Sequence, residues 1–171
     1  MADTNGGAAP QQPGAPEAQP GTQTAQPMVQ INAQYVKDLS FENPRAPQSL
    51  LQSQQQPEVQ IGVDVKAQTI AAGLYEVQLT IHADAKTGAD RVFLVELVYC
   101  GIVTAQNIPE ANLGPILLVE TPRILFPFAR AIIASATREG GFMPLLLRPI
   151  DFADLLRQQQ ERGASGQTAV A

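Results

Sequence analysis

Apolar and polar residues alternate with a period of two along four stretches of the chain, as in strands with one covered face. In VQINAQYVKDLSFE the odd positions Val29, Ile31, Tyr35, Leu39 and Phe41 are apolar. The even positions Gln30, Asn32, Gln34, Asp38, Ser40 and Glu42 are polar, and the pattern breaks at Val36 and Lys37. EVQIGVDVKA is the cleanest case, with Val59, Ile61, Val63 and Val65 on one face and Glu58, Gln60, Asp64 and Lys66 on the other. LYEVQLTIHADA turns Tyr75, Val77, Leu79, Ile81 and Ala83 inward. RVFLVELVYCGIV is apolar on both faces, which predicts a central strand, and Glu96 is its lone interior acid, on the face of Leu94, Val98 and Cys100. The last three strands are closely linked, with Gly73 and Gly88 in the turns. The first is followed by the long connection NPRAPQSLLQSQQQP. Together these features predict an α+β fold built on a four-stranded antiparallel Greek-key sheet.

The period changes to that of a helix in TPRILFPFARAIIASATREGGFM. Thr121 is placed to cap its first turn, Pro122 suits the first helical position, and Gly140-Gly141 mark its end. Nearly every position between is apolar, including Ile124, Leu125, Phe126, Phe128, Ile132 and Ile133, and Arg130 is the only charge in the middle. A helix resting on one sheet needs one apolar stripe. This one calls for cover on two sides, the second from another subunit, and it is too short and interrupted to span a bilayer. Pro127 is expected to distort its early turns. After the extended piece FMPLLLRPI, Asp151 caps a short amphipathic helix, FADLLRQQQER. One ordered domain is therefore expected over residues 28–162. Residues 1–27, rich in Ala, Pro, Gly and Gln, read as a solvated tail, and residues 163–171 are expected to fray.

Composition narrows the function. The chain has 171 residues, with 11 Lys and Arg against 16 Asp and Glu, a net charge of -5. That balance argues against nucleic acid and anionic membrane surfaces, and leaves basic partners open. One cysteine excludes an internal disulfide framework. No stretch of residues 1–27 combines a basic start with an apolar run, so the expectation is a reduced, cytoplasmic, soluble protein. Candidate chemistry is sparse. His82 and Asp84 share a strand face but alternate outward with solvated residues, and Cys100 has neither a visible base nor the partners for a zinc site. No Gly-rich phosphate loop follows a strand. The residues predict no catalytic group, no metal and no cofactor. They carry instead more apolar surface than one small sheet can cover.

Several separated motifs, in order, resemble one family. YVKDLSFENP, QPEV, YEVQLTI, FLVELVYCGI, ILFPFAR and GGFMPLLLRPIDF are similar to the SecB protein-export chaperones over roughly residues 28–158. The resemblance implies a tetramer, a dimer of dimers packed through the long helices. It also implies an ATP-independent holdase that keeps precursor proteins unfolded and passes them to the SecA motor. Carried over residue by residue, SecA docking falls on Asp38, Glu42, Leu94 and Glu96. The client groove falls on Leu50, Leu51, Val59, Ile61, Val63, Phe152, Leu155 and Leu156. The oligomer interface is expected at Leu125, Phe128, Ile132, Val95 and Leu97. The chain departs from the family in having no Trp in the long loop, which carries Gln54-Gln55-Gln56, and in its nearly neutral end, ERGASGQTAVA. Two other readings stay open on the residues alone: a small-molecule or enzymatic α+β domain with a pocket between sheet and helix, and a structural adaptor oligomer.

Overall fold

The computed structural model of the chain describes residues 26–51 and 56–166, with side chains to residue 162. Most of the expected N-terminal tail, loop residues 52–55 and the last five residues lie outside the described residues. The four alternating stretches are long strands: β1 (Met28–Glu42), β2 (Glu58–Ala71), β3 (Leu74–Thr87) and β4 (Asp90–Gln106). They form one antiparallel sheet in the order β1-β4-β3-β2. Gly73 and Gly88 close the two tight turns at φ 70° and 61°, where a side chain is strained. The long connection runs from β1 to β2, at the opposite edge of the sheet, and contains a single helical turn, α1 (Gln48–Leu51).

Residues opposed in an antiparallel register share a face. Val65, Leu79 and Tyr99 line up across β2, β3 and β4, as do Val63, Ile81 and Leu97. This set is the covered face, and Val77, Leu79, Ile81, Val95 and Leu97 are fully buried there. β1 departs from its expected alternation. Its register slips between Ile31 and Ala33 and again between Val36 and Asp38, so Asn32 and Lys37 sit in bulges. Each extra residue flips the phase. Tyr35 therefore lies opposite Cys100 on the outer face, rather than with Ile31 and Phe41, while Val36 faces inward opposite Tyr99. The second slip restores the first phase, so Asp38, Ser40 and Glu42 point outward together.

The main helix begins earlier than its sequence signals. Helical structure starts at α2 (Glu110–Pro115), passes through a π-helical turn at Ile116–Glu120 and continues as α3 (Thr121–Glu139). Thr121 is thus internal. It has helical backbone angles, and its hydroxyl donates to the Ile116 carbonyl 2.9 Å away instead of capping. The irregular turn comes just before Pro122, whose missing N–H cannot continue an α-helical ladder. α3 runs on through Pro127, where the distortion had been expected. Its end agrees with the sequence. Gly141 is left-handed at φ 88°, its N–H reaches Arg138, and the Phe142 N–H reaches back to Thr137, a Schellman closure. Gly140 is needed for a second reason: a Cβ there would fall inside the ring of Phe41.

α3 lies across the covered face through Leu125, Phe126, Ala129 and Ile133, with Leu125 seated over the bare Gly101. Leu125, Val95 and Leu97 have no exposed area in the single chain. They form the protomer's own core and are not available to an oligomer contact, contrary to expectation. Phe128 is half exposed, and Ile124 beside it is equally so. α4 (Phe152–Gly166) follows, capped by Asp151, whose carboxylate accepts from the Ala153 and Asp154 N–H groups at 3.0 and 3.1 Å. Among the described residues no helix is long and apolar enough to cross a membrane.

Candidate functional site

Two surfaces stand out, and they lie on opposite sides of the sheet. On the covered side, where α3 ends and the β3–β4 turn begins, opens a groove of about 990 Å³. Phe93 and Phe142 line it, with ring centroids 5.0 Å apart, and Phe41 stacks behind Phe93 at 5.9 Å. Leu50, Val59, Leu145 and Met143 complete the apolar wall. Met143 is 87% exposed, an unusual placement for a long apolar side chain. At the mouth, Arg45 and Asp90 form an ion pair between the β1 exit and the β4 entry.

The structure redistributes the expected groove residues. Leu50 and Val59 line the cavity. Leu51 projects beside Leu50 and is largely exposed, while Ile61 and Val63 lie further along the same face of β2. Phe152 does not belong to the groove. It is 1% exposed and meets Phe126 edge-on at 6.0 Å, so it is a core residue. Leu155 and Leu156 are partly buried and also pack against the core. The sequence reading missed Phe93, Phe142, Met143 and Leu145. The Pro and Leu residues of FMPLLL had been read only as extended chain, and nothing in that stretch alone marks it as a groove wall. The aromatic character that a loop Trp would have supplied comes instead from the three phenylalanines.

The outer face gathers all four expected docking residues. Glu42 lies opposite Leu94 and Ser40 opposite Glu96, with Asp38 one pair further along. Asp38, Glu42 and Glu96 are exposed, and Leu94 is half-buried among them. On the adjacent β3, His82 is in register with Glu96, and its Nδ1 is 3.3 Å from the carboxylate. His82 is thus turned away from Asp84. Asp84 instead takes a bidentate contact from Arg91, at 2.9 Å to each oxygen, and a third from Lys86 at 3.0 Å. The Arg91 hydrogen bonds hold the Asp84 carboxyl down to about 2, so it is a fixed anion rather than a base. Burial pushes the Cys100 thiol up to about 11, which removes it as a nucleophile at neutral pH.

One further acid shares this face. Glu76 is buried and accepts from Tyr35 Oη, Lys37 Nζ, Gln68 Nε2 and Gln78 Nε2. The Tyr35 hydroxyl, then Lys37, hold its carboxyl near 2, below its ordinary 4.5. A depressed carboxylate contributes stability that is present above its unfolded value and lost as pH falls through its folded one. The expected result is an acid-unfolding limb between about pH 4.5 and 2 that flattens in Glu76→Gln. At pH 7 the same variant, with a Tyr35 hydroxyl and Lys37 left short of an acceptor, should lose about 1–3 kcal/mol in urea unfolding. An unchanged acid limb would show that Glu76 is not its source.

Comparison with known proteins agrees with the fold. The profile of the family described as preprotein translocase subunit SecB matches residues 22–163. The protein-export protein SecB of Rhodopseudomonas palustris strain BisB5 is 52% identical over 136 residues, covering 80% of this chain and 86% of that relative. Its counterpart in Bradyrhizobium sp. strain BTAi1 is 50% identical over 141 residues, covering 82% and 87%. Among solved structures, the Mycobacterium tuberculosis Rv1957 SecB-like chaperone, in complex with a peptide from the HigA1 antitoxin, superposes with a TM-score of 0.60 at 15% identity. That match covers 71% of this chain and 90% of that one, and indicates a shared fold. A family profile matched over most of the chain, with relatives about half identical to it, places the chain in the SecB family, a family of chaperones and not of enzymes.

Proposed function

We propose that the protein is a protein-export chaperone that holds unfolded precursors in the groove floored by Phe93 and Phe142 and delivers them to SecA through Asp38, Glu42, Leu94 and Glu96. The groove carries this reading. It is open, apolar and aromatic, and the described residues leave it unfilled. Extended apolar segments gain from burial at ~25 cal/mol per Å² without any requirement for sequence. Flexible Met143 suits a site that accepts many clients. No step needs ATP or another cofactor. The acids lie on the other side of the sheet, so a client and the motor can be bound together. A basic segment of SecA would gain steering and charge-assisted hydrogen bonds from that face, with Leu94 as an apolar anchor.

The assembly we propose is a tetramer in the cytoplasm, with α3 covered by α3 of another protomer. Ile124, Phe128 and the half-buried Ile132 support it, because they form an apolar stripe that the protomer leaves only partly covered. We read the return of β1 to the edge of β4 as the Greek-key crossover of this fold. The test uses two readouts on one variant. Glu42→Lys with Glu96→Lys should lower SecA affinity at least tenfold, by exchanging attraction for repulsion at two sites. It should leave suppression of aggregation of an unrelated unfolded protein intact, measured by light scattering. If the wild type fails to suppress aggregation, the holdase reading is lost. If SecA affinity is unchanged in the variant, the docking face lies elsewhere.

A further inference from the structure

The docking face contains a basic group that the docking reading has no use for. Glu96 lies between Ser40 on β1 and His82 on β3, and His82 Nδ1 approaches its carboxylate to 3.3 Å. Directly across β2 from His82 is Gly62, which offers no side chain, so on that side the imidazole has nothing to lean on. The charged groups facing it from every neighbouring strand are few. On β1 they are Asp38 and Glu42; on β4, Glu96 and Arg91; on β2, Glu58, Asp64 and Lys66, of which Asp64 is engaged by Lys66 and by Gln159 of α4. On its own strand, Asp84 is occupied by Arg91 and Lys86. Glu96 is therefore the acid left for His82, and the anionic charge that this patch presents comes from Asp38, Glu42 and Glu96.

We propose that His82 is a specificity-determining residue of this face that makes docking of a basic partner depend on pH. The inference rests on the docking reading given above. Imidazole is the ordinary side chain whose charge changes between about pH 5 and 8. When neutral, His82 leaves Glu96 a full anion beside Asp38 and Glu42. When protonated, it sets a cation against Glu96 and offsets one of the three carboxylate charges of Asp38, Glu42 and Glu96. A partner lysine or arginine then competes with a neighbour already in place.

The chain has one histidine, which makes the experiment direct. SecA affinity of the full-length protein is measured from pH 8 to pH 6 at fixed salt, for wild type, His82→Gln and His82→Lys. An exposed charge pair contributes little, so the wild type should bind roughly 1.4- to fivefold more weakly at pH 6. His82→Gln should lose that part of the dependence and keep the high-pH affinity. His82→Lys should stay at the low affinity throughout. Parallel pH profiles in wild type and His82→Gln would overturn the proposal, because the dependence would then belong to SecA or to other groups. Glu96→Gln at pH 8 separates the two levels: reduced affinity supports the docking face itself, and no change removes that face along with the role of His82.

Discussion

An aspartate in place of Phe128 is expected to give a folded protomer that no longer assembles. Phe128 and Ile124 are 50% and 52% exposed in the single chain, so a charge at Phe128 costs the protomer little. Phe128 stacks on Tyr99 at 6.5 Å, and the same side of the sheet carries Val36 and Leu39, both more than two-fifths exposed. These residues make one apolar surface running from α3 across β4 to β1. Covered by a second copy, it would bury an unpaired carboxylate in Phe128→Asp, at a cost of about 3–5 kcal/mol. Symmetry repeats that cost at every equivalent contact. Association should weaken by at least two orders of magnitude, enough to give monomers or smaller species at micromolar concentration in native mass measurement. Circular dichroism should be unchanged. A tetramer of normal mass from this variant would mean that the subunits meet elsewhere.

The second large effect is expected at Phe93. Its ring is buried at the centre of the aromatic group, between Phe41 and Phe142. Phe93→Ala removes the contacts of both neighbours and opens a void beneath the groove, so a loss of about 3–5 kcal/mol is expected. For a chain of this size that is a fall in Tm of roughly 6–20 °C. Aggregation suppression should fall with it even at temperatures where the variant is folded, because the floor of the groove has gone. Met143→Asp is the companion. Its side chain is exposed, so stability should hold while client binding weakens. A Phe93→Ala protein of wild-type Tm would show that the ring is not packed as described.

How far the sequence could be read follows from what each signal encodes. Alternation in β2, β3 and β4 reports which side chains share a face, and those faces are the ones observed. In β1 the same signal misled for Tyr35, because two bulges each add a residue without leaving a gap in the pattern. The break at Val36 and Lys37 was the visible trace of one of them. Thr121-Pro122 has the residues of a helix start, yet a helix can pass through that pair by widening one turn. The all-round apolar character of α3 announced two covered sides but not which stripe met the sheet. Leu125 therefore went to the wrong side and Ile124 was overlooked. Alternation likewise assigns a face and not an end of the sheet. The groove is at one end, where three elements distant in sequence meet, and no local pattern points to such a place. Alternation did place Asp38 and Glu42 together on the polar face of β1 and Glu96 beside Leu94, and the register joins the two sets.

That meeting of distant elements also sets a timetable. Phe41 comes from β1, Phe93 from the start of β4 and Phe142 from beyond the end of α3. Contacts so far apart in sequence form late and slowly, after loop closure has been offset by other packing. During synthesis from the N-terminus, the strands exist well before residue 142 leaves the ribosome. A nascent copy of this chain therefore displays its apolar strands before it has any groove. On the function proposed above, such a copy cannot yet chaperone itself or its neighbours on the same message, and the molecule acquires its hold on other chains only when the chain beyond α3 closes the groove.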